Sequence, residues 1–597
     1  MDRKSILILV VCFALMMLWP AMVNRMFPPP PASARTNLVA SATGTNAAVG
    51  AAGTNRAATT NGIVAPPSIT LPASPVAAWI PPTGPEQTLT LETPESVYTF
   101  TSHGGGVKSV ALKHHPEAVA CGRAKAKAGN ELATLNDNAP VPALALFGGA
   151  TFDDGTPFTL RQSPGAVIAE KRLTNGLRLA KEFRLGTNYL LHVTLRIDNP
   201  GPAAVSVPPQ ELVIGTATPL GPYDNGQYVQ AEWYDGAAKV AVNQGWFANR
   251  SMGGCVPGTP RSEYLSPGAS NVVWASVQNQ YFAMVVIPQQ TAYQLAARPV
   301  DLPKPTPEQR AADTRLIAKP VGYQAALVYP ALNLPPGQTV ERQFDVFSGP
   351  KEFNTLAKLG RDVDLIMGFN GFFGWFARLL LLSMNGLHAL GLSYGLTIIA
   401  ITAIIKILFW PLTQASTRSM KRMQALQPKM KEIQEKYKAD PKKMNQKLME
   451  FMKENKVSPL GGCLPMLLQI PVFFGFFQML RSAIELRGAS FLWACDLSQP
   501  DTVALVFGVP INPLPLIMGA SQFWQAKLTP PSPGVDPVQQ KMMQYMPLLF
   551  VFMLYNFSAG LALYWTVQNL LSILQMKLTK ANAGGPPAPV AAPAARR

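Results

Sequence analysis

Charged residues are scarce in this 597-residue sequence: Asp, Glu, Lys and Arg make up only 14% of it, while hydrophobic residues make up 48%. So little charge argues against a wholly soluble protein and indicates segments that lie in a membrane. Acidic residues are fewer than basic ones, 34 against 51, which gives a net charge of +17. A basic excess suits either nucleic acid or a membrane surface, so its position along the chain must decide between them.

The sequence also lacks the patterns of a metal centre or an enzyme. Its few cysteines form no Cys-x-x-Cys pair and no metal-ligand spacing; they are Cys12, Cys121, Cys255, Cys463 and Cys495. The middle of the chain holds no G-x-S-x-G, no H-E-x-x-H and no phosphate-binding glycine loop. We therefore expect no catalytic residue, no metal and no cofactor. Cys121 and Cys255 could pair if their region is exported, and the sequence leaves this open.

The N-terminus carries a basic start and then an apolar run, Ser5–Val23. At about 19 residues the run is long enough to span a bilayer. A cleaved signal peptide is the alternative, but its small-residue site, Ala32–Ala34, lies about ten residues too far along. An uncleaved anchor over residues 1–27 is therefore favoured. Residues 28–86 are rich in Pro, Ala and Thr and predict a flexible linker.

From residue 87 to 350, short β-branched or alternating runs recur between turn residues, such as SVYTFTS and YLLHVTLRIDNPG. They predict an exported all-β sandwich. Trp233, Tyr234, Trp246 and Phe247 allow two interpretations. They are either sandwich core or the floor of a sugar or peptide cleft, which would make the chain a membrane-anchored binding protein.

After residue 350 apolar helical runs take over. Residues 351–392 include Phe369–Leu382, predicted to be a short helix at the membrane interface. The N-terminal run is the first of six expected spans. The other five lie within 393–580: Tyr394–Leu412, Leu464–Leu480, Leu514–Ala526, Met543–Tyr555 and Leu561–Met576. Thirteen residues of helix cover only about 20 Å of a hydrocarbon core of about 30 Å, so the short spans should thin the bilayer. Residues 581–597 are Ala- and Pro-rich and predict a flexible tail.

The segment 414–457 is strongly basic, with about a dozen Lys and Arg against five acids. The positive-inside rule makes it cytoplasmic, and both termini with it. Apolar residues recur at helical spacing on either side of Asp440-Pro441, which predicts a helical hairpin with a Met-rich seam. Two compatible roles are predicted for the hairpin: it packs on itself, and it is a docking surface for a ribosome, anionic lipid or a nascent chain. The docking candidates are Lys421, Arg422, Met423, Met430, Lys431 and Met444.

One lysine, Lys406, lies inside the second predicted span, and no Asp or Glu lies in any span. Thr402 shares its helical face, and Tyr564 and Gln568 form a polar stripe in the last span. Polar groups in spans normally face a bundle interior or a wet cavity, so these residues predict a hydrophilic pocket. The alternative is that Lys406 snorkels to the cytoplasmic interface. A small-solute transporter would be expected to pair its intramembrane charges, which makes that function less favoured.

Several segments resemble the YidC family of membrane protein insertases. In the helical half they are TAIIKILFWPLTQASTRSMKRMQALQPKMKEI, SPLGGCLPMLLQIPVFFGFF and DPVQQKMMQYMPLLFVFMLYNFSAGLALYWTVQNLLSILQ. In the exported domain they are YTFTSHGGGVKSVAL, QNQYFAMVVIP and LPPGQT. The resemblance implies a multi-domain, multi-pass protein of the bacterial inner membrane, with an all-β periplasmic super-sandwich and an α-helical bundle. It also implies insertion of nascent membrane proteins, alone or with the Sec translocon, and no enzymatic activity.

The resemblance further implies a hydrophilic groove open to cytoplasm and lipid. One basic residue, usually Arg, lies in that groove at the position of Lys406, and Lys keeps the charge but not the planar fork of donors. The implied groove residues are Lys406, Thr402, Trp410, Gln522, Tyr564, Trp565 and Gln568. The implied contacts for a client span are Gln469, Pro471, Phe473, Phe477, Met546 and Phe550. Implied partners are nascent membrane proteins, the Sec translocon, the ribosome, the signal recognition particle receptor and anionic lipid, without specific nucleic acid recognition.

Overall fold

The computed structural model describes residues 79–119, 131–149, 152–250, 258–313, 316–455, 464–506, 509–528, 545, 549 and 551–581. These residues fall into two compact units that divide between Ile366 and Met367, called here the β unit and the helical unit. The predicted anchor 1–27 lies outside the described residues. So do most of the linker, nearly all of the tail, and every cysteine except Cys495.

The β unit is built from antiparallel strands with three short helices between or after them. The helices are α1 (Gln244–Ala248), α2 (Pro307–Ala312) and α3 (Phe353–Lys358). The strands are β1 (Thr88–Glu92), β2 (Ser96–Thr101), β3 (Gly106–Pro116), β4 (Leu132–Leu135), β5 (Leu146–Phe147), β6 (Thr159–Ser163), β7 (Ala166–Arg172), β8 (Arg178–Leu185), β9 (Leu190–Asp198), β10 (Val205–Val207), β11 (Gln210–Ala217), β12 (Gln230–Tyr234), β13 (Lys239–Asn243), β14 (Tyr264–Leu265), β15 (Trp274–Gln278), β16 (Phe282–Pro288), β17 (Gln294–Asp301), β18 (Val321–Tyr329), β19 (Leu332–Leu334) and β20 (Thr339–Pro350).

Two large sheets form the sandwich. One has nine strands in the order β13-β12-β15-β16-β20-β9-β8-β7-β6, and the other has five in the order β14-β17-β18-β11-β5. Strands β15 and β16 of the first face β11 of the second. The alternation that predicted strands decides which side chains enter the core: in β9, Leu191, Val193, Leu195 and Ile197 are buried and the residues between them are not. The predicted β sandwich is confirmed.

The aromatic residues considered for a cleft lie in the core of this sandwich. Trp233, Tyr234 and Phe247 are buried, and Trp246 is half-buried. The Trp233 indole N–H donates to the Tyr264 hydroxyl at 2.9 Å, and Phe247 stacks on Tyr323. The core interpretation therefore applies to them, because each ring already has a packing partner.

A buried lysine, Lys181 on β8, joins two loops of the β unit. Its Nζ donates to the carbonyl oxygens of Gly104 and Leu144, each at 2.7 Å, and lies 4.8 Å from the centre of the Phe158 ring. Burial, together with a smaller effect of the charge of Lys171, lowers the pKa of Lys181 to about 7. An unfolded chain keeps this proton up to a pKa of about 10.4.

The free energy of unfolding of the β unit should therefore rise with pH between 7 and 10. In that window unfolding takes up a proton at Lys181, and the slope for one proton is about 1.4 kcal/mol per pH unit. Replacing Lys181 by Met should remove this slope, whereas replacing the exposed Lys108 by Met should keep it. Denaturant titrations of the whole chain in detergent at several pH values measure the difference, and equal slopes in the two variants would contradict it.

The helical unit contains eight helices within its described residues. They are α4 (Gly371–Ala389), α5 (Tyr394–Leu408), α6 (Trp410–Ala425), α7 (Gln427–Lys436), α8 (Pro441–Glu454), α9 (Leu464–Ser482), α10 (Pro513–Leu528) and α11 (Ala559–Ala581). A small hairpin, β21 (Ala504–Val506) and β22 (Val509–Ile511), precedes α10. The first predicted span lies outside the described residues, and so do six of the 13 residues of the fifth; residues 545, 549 and 551–554 of the fifth are helical.

Within the described residues, no helix taken alone has the length and apolar character needed to cross a membrane. One bent pair has them together: Tyr394–Leu408 and Trp410–Ser416, which meet at 54°. The sequence predicted one run from Tyr394 to Leu412. The break at Phe409 fits Pro411, which has no backbone N–H and is accommodated best in the first turn of a helix, here that of α6.

The predicted interfacial helix is longer than expected, since α4 continues to Ala389. Polar side chains in the added part of the helix have partners. The Ser383 hydroxyl donates to the Leu379 carbonyl at 2.8 Å, and the Asn385 amide donates to a Glu485 carboxylate oxygen at 3.0 Å. A Cβ on Gly475 would lie 2.8 Å from that of Phe376, so glycine there allows α9 to approach α4 closely.

Candidate functional site: a polar cavity in the helical unit

An open cavity lies between α5, α6, α9 and α11. Its wall combines hydroxyl, amide and ammonium groups with aromatic and aliphatic ones. The lining residues are Thr402, Ile405, Lys406, Phe409, Thr413, Gln469, Val472, Phe476, Tyr564 and Gln568. The two polar stripes that the sequence placed in different spans therefore meet around one space.

Lys406 is the charged group of this cavity, and its side chain is buried. Its Nζ donates to the Ser572 hydroxyl oxygen at 2.7 Å, and that hydroxyl donates to the Gln568 carbonyl at 2.7 Å. Among the described residues Lys406 makes no ion pair. The ammonium is thus held against α11 by a hydroxyl dipole, and an ammonium with three N–H donors keeps the capacity for further acceptors.

Neighbouring contacts hold the other helices against the same face of α11. The Gln575 amide donates to the Thr413 hydroxyl and, at 3.4 Å, to the Trp410 carbonyl. The Tyr564 hydroxyl pairs with the Gln469 side chain. Phe476 stacks on the Tyr564 ring with the centres 4.1 Å apart, which closes one wall with apolar surface.

Three of the groove residues implied by the resemblance do not line this cavity. Trp410 begins α6 and is half-buried. Gln522 lies on α10, and its side-chain oxygen is buried without a hydrogen-bond partner in the described part of the chain. The Trp565 ring packs edge-on against Phe473 of α9, with centres 4.9 Å apart.

The residues implied for client contact are divided between two settings. Gln469 lines the cavity. Phe473 and Phe477 are half-buried, and the ring centres of Phe477 and Phe557 are 5.9 Å apart. Pro471 is half-buried inside α9, while Met546 and Phe550 lie outside the described residues. Among the α9 side chains that the structure describes, the exposed large apolar ones are Ile470 and Phe474.

Helices α7 and α8 pack together through an apolar seam. Met423, Met430 and Leu448 are buried there, with Met444 partly buried against them. These methionines therefore pack the helices of this segment against one another, and their role in docking stays a prediction. Of the basic candidates, Arg422 and Lys431 are exposed, and the side chain of Lys421 lies outside the described residues.

Sequence reasoning missed Ser572, the hydrogen-bond partner of Lys406. The signal was present, because residues 564, 568, 572 and 575 recur at spacings of four, four and three and so share one helical face. A serine among leucines carries little polarity by itself. Only the approach of α5 to α11 gives it a charged donor.

Two family models match consecutive parts of the chain. The model of the YidC periplasmic domain matches residues 88–382, and that of the 60Kd inner membrane protein matches residues 386–584. A curated relative from Syntrophus aciditrophicus (strain SB), named membrane protein insertase YidC, is 33% identical over 584 residues, 96% of this chain and 98% of its own. The chain belongs to the YidC membrane protein insertase family.

A second curated relative and a solved structure are also similar to this chain. The YidC of Cupriavidus necator is 36% identical over 444 residues, 72% of each chain. A crystal structure of an active YidC insertase, with its first transmembrane domain resolved, aligns with 84% of this chain and 94% of its own at 18% identity and a TM-score of 0.32. Membership of the YidC family disfavours both alternatives, the anchored carbohydrate- or peptide-binding protein and the small-solute transporter.

The contact between Lys406 and Ser572 should be measurable in this YidC-family protein. Hydrogen bonds to charged groups contribute about 1.5–3 kcal/mol. A double-mutant cycle with Lys406→Met and Ser572→Ala, followed by unfolding in detergent, should give a coupling energy in that range. Ser572→Thr keeps the hydroxyl and serves as the matched control. A coupling energy near zero would contradict the contact.

Proposed function

We propose that this protein is a membrane protein insertase that moves short hydrophilic flanks of nascent membrane proteins across the inner membrane through the Lys406 cavity. The cavity lowers the cost of taking polar groups into the bilayer, because its wall replaces part of their hydration. The apolar span of the client then partitions into lipid along α9, stabilised by burial in hydrocarbon. No step requires a nucleotide, a metal or a covalent intermediate.

The observation that carries the proposal is a buried cation with a hydroxyl partner and no acidic one among the described residues. A permanent acidic partner would neutralise the Lys406 charge, which would then no longer attract an acidic residue of a client. An ammonium held by a neutral hydroxyl keeps its attraction for a carboxylate that enters the cavity. Client flanks rich in Asp and Glu fit this arrangement.

The length of α5 supports a short crossing. The 15 residues of α5 cover about 22 Å at helical rise, against a hydrocarbon core of about 30 Å. A bilayer thinned around α5 would leave a shorter distance for the client flank to cross. The exposed side chains Ile470 and Phe474 on α9 give the client span an apolar surface on the same helix that carries Gln469.

The topology that goes with this function has six spans, cytoplasmic termini and a periplasmic β unit. The basic segment around α7 and α8 supports it, since Lys and Arg concentrate in cytoplasmic loops. The Sec translocon, the ribosome, the signal recognition particle receptor and anionic lipid are the proposed partners of this protein besides its clients. The exposed positive charges of Arg422 and Lys431 would bind the anionic partners among these.

Insertion of a single-span client with an acidic N-terminal tail should depend on the charge at position 406. In liposomes containing the purified protein, Lys406→Leu should slow tail translocation roughly ten- to hundredfold, since a charged hydrogen bond of about 1.5–3 kcal/mol converts to that range. Lys406→Arg should keep most of the rate, because it keeps the charge. Protease protection of the tail measures the rate.

Two results would contradict this account in different ways. Equal rates in wild type, Lys406→Leu and Lys406→Arg would leave an insertase whose lysine has no part in transport. If the folded protein gave no more insertion than empty liposomes, the proposal that it inserts clients by itself would be refuted.

The basic helix pair should contribute to ribosome docking. Each basic residue near an anionic surface contributes about 1 kcal/mol, so Arg422→Glu with Lys431→Glu should weaken ribosome co-sedimentation with proteoliposomes at least tenfold and reduce its salt dependence. Lys108→Glu with Lys113→Glu, in the β unit, is the charge-matched control. Equal effects of both pairs would contradict a docking role for α7 and α8.

A further inference from the structure

An apolar surface of the helical unit lies apart from the cavity, at a tight turn and the β21–β22 hairpin. The turn and the hairpin both belong to the loop between α9 and α10. Every member of this surface is a large apolar side chain that is exposed: Leu492, Trp493, Val503, Leu505, Val506 and Val509. We call these six residues the hairpin patch.

The patch is held firmly and is not a loose loop. The Trp493 indole N–H donates to a carboxylate oxygen of Asp501 at 2.9 Å, which joins the turn to the hairpin. The same oxygen accepts from the Leu514 backbone N–H at 2.7 Å, at the start of α10. On the other strand, the Tyr555 hydroxyl donates to the Pro510 carbonyl at 2.7 Å. The apolar side chains are therefore presented by a fixed frame.

The composition of this segment does not suit contact with water. Between Asp501 and Lys527 the sequence has no charged residue. A hairpin that is wet on one face alternates apolar and polar residues, whereas the strand Ala504–Val506 exposes apolar residues throughout. At the turn, Leu492 has φ +52°, a conformation that favours Gly or Asn, yet a leucine stands there with its side chain exposed.

We propose that the hairpin patch is immersed in the periplasmic leaflet of the bilayer. The patch leads directly into α10, whose Leu516 and Ile517 are also exposed, so the apolar surface continues onto a proposed span. Trp493 combines an apolar ring with a satisfied N–H, as is typical of the boundary between lipid and water.

The disulfide at Cys495 supports the periplasmic side. Cys495 is disulfide-bonded and lies two residues after Trp493. Disulfides persist in the periplasm and are rare in the cytosol. The choice of leaflet rests on the topology given under Proposed function, whereas contact with lipid does not depend on insertase activity.

Photo-crosslinking from single positions tests the patch in the full-length protein. Benzoylphenylalanine replaces Leu505 in one variant and Leu265 in another; both leucines are 52% exposed, and Leu265 lies on β14 of the β unit. A third variant carries it at Ile407, which is 68% exposed on α5. Each variant is irradiated in inner-membrane vesicles, purified and weighed by mass spectrometry, after its thermal unfolding has been matched to wild type.

We expect phospholipid adducts at Leu505 and Ile407, several-fold above the yield at Leu265. A yield at Leu505 no higher than at Leu265 overturns the proposal, and a protein adduct at Leu505 in place of lipid overturns it in favour of a protein partner. Insertion is assayed in the same vesicles. Lipid adducts at Leu505 without insertion would uphold the patch while refuting the proposed function, so the two failures are distinguishable.

Discussion

The hydrogen bond from the Lys406 ammonium to the Ser572 hydroxyl, 2.7 Å long, is the contact on which the account of the helical unit depends. A buried charge is costly unless polar groups replace its lost hydration. Lys406 has a serine for this purpose and, among the described residues, no acid. The charge therefore requires α5 to lie beside α11, and it requires polar surface around it. The cavity lined by Thr402, Gln469 and Gln568 is that surface.

Helix α11 organises the remaining helices by the same requirement. In hydrocarbon a polar side chain must find its partner within the protein, so each polar residue of α11 selects a neighbour. Gln575 bonds to Thr413 of α6, and Asn569 donates to the Ser521 hydroxyl of α10 at 3.1 Å. Tyr564 pairs with Gln469 of α9. These contacts fix the walls of the cavity.

Much of this arrangement was predictable from the sequence. Alternation in β9 and its neighbours gave the sandwich, and helical spacing in the last span gave a polar stripe facing Lys406. The break at Phe409 was not predicted, because hydropathy continues across it and only the backbone of Pro411 ends the helix. Ser572 was missed because its importance arises from a residue distant in sequence. Trp565 was expected in the groove, but its ring instead packs on Phe473, a choice that depends on side-chain packing and not on helical face alone.

The most direct measurement is to ask where the hydrophilic tail of a client lies during insertion. A photo-reactive residue in place of Gln568, which lines the cavity, should crosslink to the acidic tail of a client stalled during translation. The same residue in place of Ile407, on the outer face of α5, should crosslink to lipid and not to the tail. Tail adducts at Gln568 alone are the result predicted here. Tail adducts at Ile407, with none at Gln568, would show that the tail crosses outside the Lys406 cavity and would contradict the account.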